Sequence, residues 1–206
     1  MALLAVDNLT VTFDEFTAVD SVGFTIEPGE TLGVVGESGS GKSVTALSIM
    51  RLIEMGTRAK IADGRVELEM PDGSILDLLT QDEPTMRSIR GNQIAMIFQE
   101  PMTSLNPVYT VGEQILEAIL LHQRATRRQA VAIAEEALGD VGISDAASRL
   151  REYPHHLSGD IRQRVKIVMA SACERPPAGD RSNGSGRTSQ VPIHKILRQL
   201  RQGRRM

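Results

Sequence analysis

The segment that most constrains the fold is residues 36–43, which read GESGSGKS. It matches G-x-x-x-x-G-K-[ST], in which glycines let successive backbone N–H groups curl around one anion. An apolar run at residues 31–35 precedes it and predicts a buried strand, and a helical pattern follows to about Glu54. The start of that helix would add its partial positive charge. The sequence therefore predicts a phosphate-binding loop, with a plain Gly/Ser-rich turn as the alternative.

The chemistry of such a loop assigns roles to single residues. Lys42 should reach the β and γ phosphates of a nucleotide, and the Ser43 hydroxyl should coordinate Mg²⁺. The nucleotide-binding candidates are Gly36, Glu37, Ser38, Gly39, Ser40, Gly41, Lys42, Ser43 and Val44. The loop alone does not choose between a kinase, a GTPase and a transport ATPase.

The remaining periodicity predicts an α/β chain with a helical insertion. The predicted strands cover residues 3–13, 18–26, 31–35, 65–69, 75–78 and 94–98, and the helical patterns cover 111–147 and 160–172. The predicted domains are a β subdomain with the phosphate-loop core (1–99), a helical subdomain (100–157), a helix returning to the core (158–174) and an aberrant basic tail (175–206).

Two further segments resemble a known family. Residues 94–115 (IAMIFQEPMTSLNPVYTVGEQI) resemble the Q-loop segment of ATP-binding subunits of ABC transporters, and TSLNP resembles their oligopeptide/dipeptide (peptide/nickel) import group. Residues 153–165 (YPHHLSGDIRQRV) resemble that group's signature motif. The resemblance runs from residue 1 to about 174 and resumes around 188–200. The Q-loop and signature segments argue against a kinase or a GTPase.

The resemblance implies a fold, a function and a set of partners. The fold is an α/β P-loop NTPase (RecA-like) core with an antiparallel β subdomain and a helical subdomain, its C-terminal part incomplete. The function is an ATP-hydrolysing subunit that uses ATP and Mg²⁺ and energises solute import through membrane-spanning permease subunits. The resemblance also implies a second ATP-binding subunit, identical or homologous, and an indirect link to a solute-binding protein. The implied location is peripheral, on the cytoplasmic face of the plasma (inner) membrane.

The same resemblance assigns further site residues, each with a plainer alternative. Gln99 is implied to contact Mg²⁺ or the attacking water, and otherwise caps a strand end. Phe13 is implied to stack on adenine, and otherwise is a core residue. Ser158 and Gly159 are implied to face the γ phosphate held by the second subunit, with Arg162, Gln163 and Arg164 facing outward nearby. A simple helix cap by Ser158 is compatible with that role.

One departure from the family lies in the signature, where Asp160 replaces the second glycine. A carboxylate beside the γ-phosphate position should repel the nucleotide. Asp is also favourable at a helix N-terminus, which is the alternative explanation. We expect weakened ATP binding at the shared site.

A larger departure follows Cys173, which we expect to be a small buried apolar residue. The family there has an apolar strand ending in Asp-Glu (Walker B), whereas residues 174–187 read ERPPAGDRSNGSGR. Asp180 is isolated, and His194 lies too early for the family's switch histidine. A local reading-frame error is a permitted hypothesis, because Ala178-Gly-Asp-Arg can be encoded by bases that give Leu-Val-Ile-Ala when shifted. The alternative function is therefore a non-catalytic, truncated nucleotide-binding fragment.

Composition excludes several other classes of protein. Aromatic residues make up 3% of the chain with no Trp, which argues against a stacking surface for single-stranded nucleic acid. A single Cys excludes a disulfide framework, and the adjacent His155 and His156 lack a third metal ligand. No apolar run is long enough to span a membrane, and no secretory signal is recognisable. Residues 175–206 carry eight basic residues and one acidic residue, which we attribute to the disrupted region rather than to nucleic-acid binding.

Overall fold

A computed structural model of the chain describes residues 2–98 and 105–172. The chain divides into two units, Met1–Arg90 and Gly91–Met206. The first unit holds a sheet with two short α-helices, and the described part of the second is helical.

The sheet of the first unit is antiparallel, with strand order β2-β1-β3-β4. The hairpin of β1 (Leu4–Phe13) and β2 (Phe16–Ile26) confirms the alternation in the sequence, and Asp14 makes its turn with a left-handed φ of 50°. The third strand, β3 (Ala59–Glu69), pairs with the other edge of β1, and β4 (Ile75–Asp77) follows the turn at Pro71-Asp72-Gly73. Buried side chains on one face of this sheet form its core.

Two α-helices and one 3-10 turn complete this unit. The first helix, α1 (Lys42–Ile49), packs against β1 and β2, and α2 (Glu83–Ile89) follows the 3-10 turn Leu78–Thr80. The first helix ends before the predicted Glu54 because Arg51 adopts a left-handed φ of 51°. The guanidinium of Arg51 donates to the carbonyl oxygens of Leu78 and Gln81, which holds this turn.

Two predicted strands are wrong. Residues 31–35 and 95–98 lie in irregular backbone, residue 94 forms only an isolated bridge, and Val35 is 92% exposed. A short apolar run becomes a buried strand only when neighbouring strands satisfy its backbone on both sides. The described sheet is antiparallel and does not include either run. The sequence after Cys173 also lacks an apolar run that could supply a neighbour.

The second unit is built from helices α3 (Val111–His122), α4 (Arg127–Asp140), α5 (Ala146–Arg149) and α6 (Gly159–Ser171). Both α3 and α4 begin with a capping box, Thr110 with Glu113 and Thr126 with Gln129. A 3-10 turn at Pro154–His156 leads into α6. One buried aliphatic cluster joins α3, α4 and α6, as the helical periodicity predicts.

Candidate functional site

The predicted phosphate loop has the backbone that its sequence requires. Gly39 and Gly41 both have left-handed φ angles, 86° and 87°. A Cβ on Gly36 would lie 2.6 Å from the Ser40 Oγ, so a side chain there would fill the loop. The loop leads directly into α1, whose N-cap residue is Gly41. Because Gly41 has no side chain, it leaves the amide groups of the first turn open to an anion.

The Lys42 side chain curls back over this loop. Its Nζ donates to the carbonyl oxygens of Gly36 and Glu37 at 2.7 and 2.6 Å, and to the Ser40 Oγ at 3.0 Å. The ammonium group therefore sits above the same loop whose amides would bind phosphate. The next residue, Ser43, is exposed.

The last glycine of the loop lies against the β hairpin. A Cβ on Gly41 would lie 2.8 Å from the Ala18 carbonyl oxygen and 3.2 Å from the Val19 Cγ2. Phe13 ends β1 half-buried and lies opposite Phe16, which is 69% exposed. Sequence reasoning named Phe13 and missed Phe16, although a two-residue turn between strands places the residues that flank it opposite each other.

The predicted signature segment begins α6. Ser158 is its N-cap residue, and the Ser158 Oγ accepts a 3.4 Å hydrogen bond from the Ile161 N–H. Ser158, Gly159 and Asp160 are all exposed, and a Cβ built on Gly159 would meet no described atom within 4 Å beyond its chain neighbours and the backbone of its own helix. The capping role is therefore present, and it leaves this turn accessible.

Arg164 does not face outward as the sequence suggested. Its Nε donates a 3.0 Å hydrogen bond to the Asp160 Oδ2, and one terminal nitrogen donates to the Val141 carbonyl oxygen at 2.7 Å. The side chain is 23% exposed, so it lies along the helix surface toward the end of α4. Carbonyl groups at a helix C-terminus attract a cation, which explains this orientation.

Gln114 is a second residue that sequence reasoning missed. It is buried in α3, and its Oε1 accepts the Asn106 N–H at 2.8 Å. Its Nε2 donates to the carbonyl oxygens of Asn106 and Tyr109 at 3.0 and 3.1 Å. A buried polar residue in an apolar helical stripe was the only available signal.

Several predicted residues lie outside the described residues. These are Gln99, Cys173, Asp180, His194 and the segment 174–187. His155 and His156 are exposed, and their ring centroids are 4.2 Å apart. Among residues 2–98 and 105–172, no group of three or more His, Cys, Asp or Glu side chains could hold a metal ion. In the same ranges no helix is long and apolar enough to cross a membrane.

A glycine loop with a lysine over it and an unblocked helix behind it defines a P-loop nucleotide-binding protein. The model of the ABC transporter family matches residues 19–177 of this chain. The chain belongs to the ABC transporter family.

Similar sequences include two importer ATP-binding proteins. The chain is 46% identical over 207 aligned positions to the glutathione import ATP-binding protein GsiA of Salmonella choleraesuis (strain SC-B67), covering 97% of this chain. It is 45% identical over 205 positions to the protein of that name from Escherichia coli (strain K12), covering 96% of this chain. The chain spans about a third of the length of these relatives, 33% in both cases.

Solved structures confirm the predicted fold class. The dimeric structure of MJ0796, a bacterial ABC transporter cassette, superposes with a TM-score of 0.69 at 26% identity, covering 84% of this chain and 71% of that one. A dimeric post-hydrolysis state of MJ0796 bound to ADP and Pi gives a TM-score of 0.68 at 24% identity, covering 97% and 82%. The fold is that of an ABC cassette.

Proposed function

We propose that this chain is an ATP-binding subunit of a peptide-type ABC importer. The observation that carries the proposal is the loop of residues 36–43, where Lys42 covers three loop oxygens in front of an unblocked helix start. An incoming phosphate would draw the Lys42 ammonium off those oxygens, and the loop amides would then hold the phosphate. Glutathione import in the names of two relatives fits a peptide-type solute.

A magnesium ion fits the residues at the start of α1. The exposed Ser43 hydroxyl stands beside the phosphate loop, and oxygen ligands of this kind suit Mg²⁺ bound together with a nucleotide. We assign the second protein ligand to Gln99 on the strength of the Q-loop resemblance. When bound, Mg²⁺ would neutralise phosphate charge.

The site is proposed to be shared between two ATP-binding subunits. Ser158 and Gly159 begin α6 in an exposed turn, which suits contact with a phosphate held by another chain. Phe13, with Phe16 beside it, is proposed as the adenine platform. A dimeric cassette bound to ADP and Pi is among the solved structures that share this fold, which supports the shared arrangement.

The other proposed partners are membrane-spanning permease subunits. A solute-binding protein is proposed as an indirect partner, and nucleic acid is not proposed as a partner. Val108 and Tyr109 lie within the Q-loop segment and are 70% and 52% exposed, and Gln114 holds their loop. Exposed apolar residues on a held loop suit a protein partner. The proposed location is peripheral, on the cytoplasmic face of the inner membrane.

A non-catalytic nucleotide-binding fragment is the second candidate. Residues 174–187 lack the apolar run and Asp-Glu pair of Walker B, and residues 31–35 join no strand of the described sheet. Without that Glu, no carboxylate at the family's position would polarise the attacking water. This candidate predicts nucleotide binding without turnover.

Binding of a fluorescent ATP analogue with Mg²⁺, followed by phosphate release, separates the two candidates. Lys42→Ala should abolish binding, and the exposed Lys60→Ala should leave it unchanged. Turnover comparable to an intact ABC ATPase supports the catalytic subunit. Binding alone supports the fragment, and equal binding by wild type and Lys42→Ala rejects both.

A further inference from the structure

Asp160 stands in the exposed first turn of α6, where the shared nucleotide site is proposed. Its Oδ2 accepts a 3.0 Å hydrogen bond from the Arg164 Nε, one helical turn later. The Asp160 side chain is 64% exposed, and the Arg164 side chain only 23%. The carboxylate is therefore paired with a cation that is itself sheltered from solvent.

Arg164 is fixed at a second point. Its terminal nitrogen donates to the Val141 carbonyl oxygen at 2.7 Å and lies 3.4 Å from that of Gly142. A Cβ on Gly142 would lie 3.0 Å from the same nitrogen, so a glycine admits the guanidinium here. Three acceptor oxygens hold the guanidinium, one on Asp160 and two at the end of α4. These contacts keep the guanidinium beside the Asp160 carboxylate.

We propose that Arg164 is a positioning residue that makes Asp160 compatible with nucleotide at the shared site. It neutralises the Asp160 carboxylate, so the start of α6 keeps its attraction for a phosphate. The replacement of the family's second glycine by Asp160 is thus offset within the same helix. This inference rests on the proposed function.

The test is a double-mutant cycle on ATP-dependent self-association of the whole chain. The variants are Arg164→Gln, Asp160→Gly, the double variant and Arg164→Lys, with the exposed Arg128→Gln as a control that removes the same charge elsewhere. Light scattering with Mg-ATP gives the association constant, and a fluorescent ATP analogue reports binding at the P-loop separately. Circular dichroism identifies any variant that fails to fold.

Arg164→Gln should weaken association about tenfold, because an uncompensated charge then faces the phosphates. In the Asp160→Gly background the same change should have less than a twofold effect, and Arg164→Lys should retain most of the association. Added salt should reduce the loss in Arg164→Gln, which a purely structural role would not predict.

Three results would overturn the inference. One is an equal loss in both backgrounds, and another is no loss at all. The third is that every variant, Asp160→Gly included, binds nucleotide but does not self-associate. That result would reject the inference while leaving the proposed nucleotide binding intact. Absence of ATP binding by the wild type rejects the proposed function itself and the inference with it.

Discussion

The backbone N–H of Gly112 donates a 2.8 Å hydrogen bond to the Leu150 carbonyl oxygen, and a Cβ on Gly112 would lie 2.6 Å from that oxygen. This contact joins the start of α3 to the end of α5. A side chain at position 112 would push the two apart. We expect Gly112→Ala to lower the free energy of unfolding by about 2 kcal/mol, measured by urea denaturation.

A glycine within α4 provides the matched control for this change. A Cβ built on Gly139 would meet no described atom within 4 Å beyond its chain neighbours and the backbone of its own helix. Gly139→Ala should therefore raise stability by about 0.5–1 kcal/mol, because Ala has the better helix propensity. Similar effects at positions 112 and 139 would contradict the contact with Leu150.

We expect Lys42 to contribute more to nucleotide binding by the loop than to the stability of the fold. Its ammonium contacts three exposed loop oxygens and is not enclosed by a core. Lys42→Met should therefore lower affinity for Mg-ATP at least tenfold while changing unfolding stability by less than about 0.5 kcal/mol. Calorimetric titration and urea denaturation measure the two quantities, and a large loss of stability would show that the lysine mainly holds the fold.

Gln114 holds the loop that displays Val108 and Tyr109. Gln114→Leu removes the hydrogen bonds to Asn106 and Tyr109. We expect it to lower the free energy of unfolding by about 1–2 kcal/mol. Amide exchange should accelerate in residues 106–110 more than elsewhere. Gln93→Leu is the control, since its side chain makes no hydrogen bond within the described residues. Uniform acceleration across the chain would instead indicate global destabilisation.

The cap of α3 should make stability depend on pH. The backbone N–H and the hydroxyl of Thr110 both donate to Glu113, and these bonds lower the pKa of its carboxyl. The folded state is therefore favoured above the usual Glu pKa, and the gain is lost as pH falls through the lowered value. Glu113→Gln should flatten the dependence of the free energy of unfolding on pH across this acidic range, measured by urea denaturation at a series of pH values.

The parts of the fold that can be predicted from the sequence are those that neighbouring residues determine. The β1–β2 hairpin, the Pro-Asp-Gly turn and the capped helices α3 and α4 each carry their cause within a few residues. The phosphate loop was also predictable because its glycines need left-handed backbone at Gly39 and Gly41.

Features that depend on distant partners were not predictable in the same way. The contact of Arg164 with the Val141 carbonyl oxygen depends on where α4 ends, which the sequence around residue 164 does not reveal. Its pairing with Asp160, by contrast, joins positions i and i+4 of one helix and is local. Residues 31–35 have strand composition, but composition does not supply the neighbouring strand.

A substitution at Val35 tests whether residues 31–35 are unpaired in the folded protein. It is 92% exposed, and the N–H groups of residues 32–35 donate to no described acceptor. Val35→Lys should therefore change the free energy of unfolding by less than about 0.5 kcal/mol. It should also reduce aggregation, because an unpaired apolar strand-forming segment invites pairing with other chains. Urea denaturation and light scattering measure the two effects, with Val66→Lys as the buried control on β3. A loss at position 35 as large as that at position 66 would show that residues 31–35 are buried in solution.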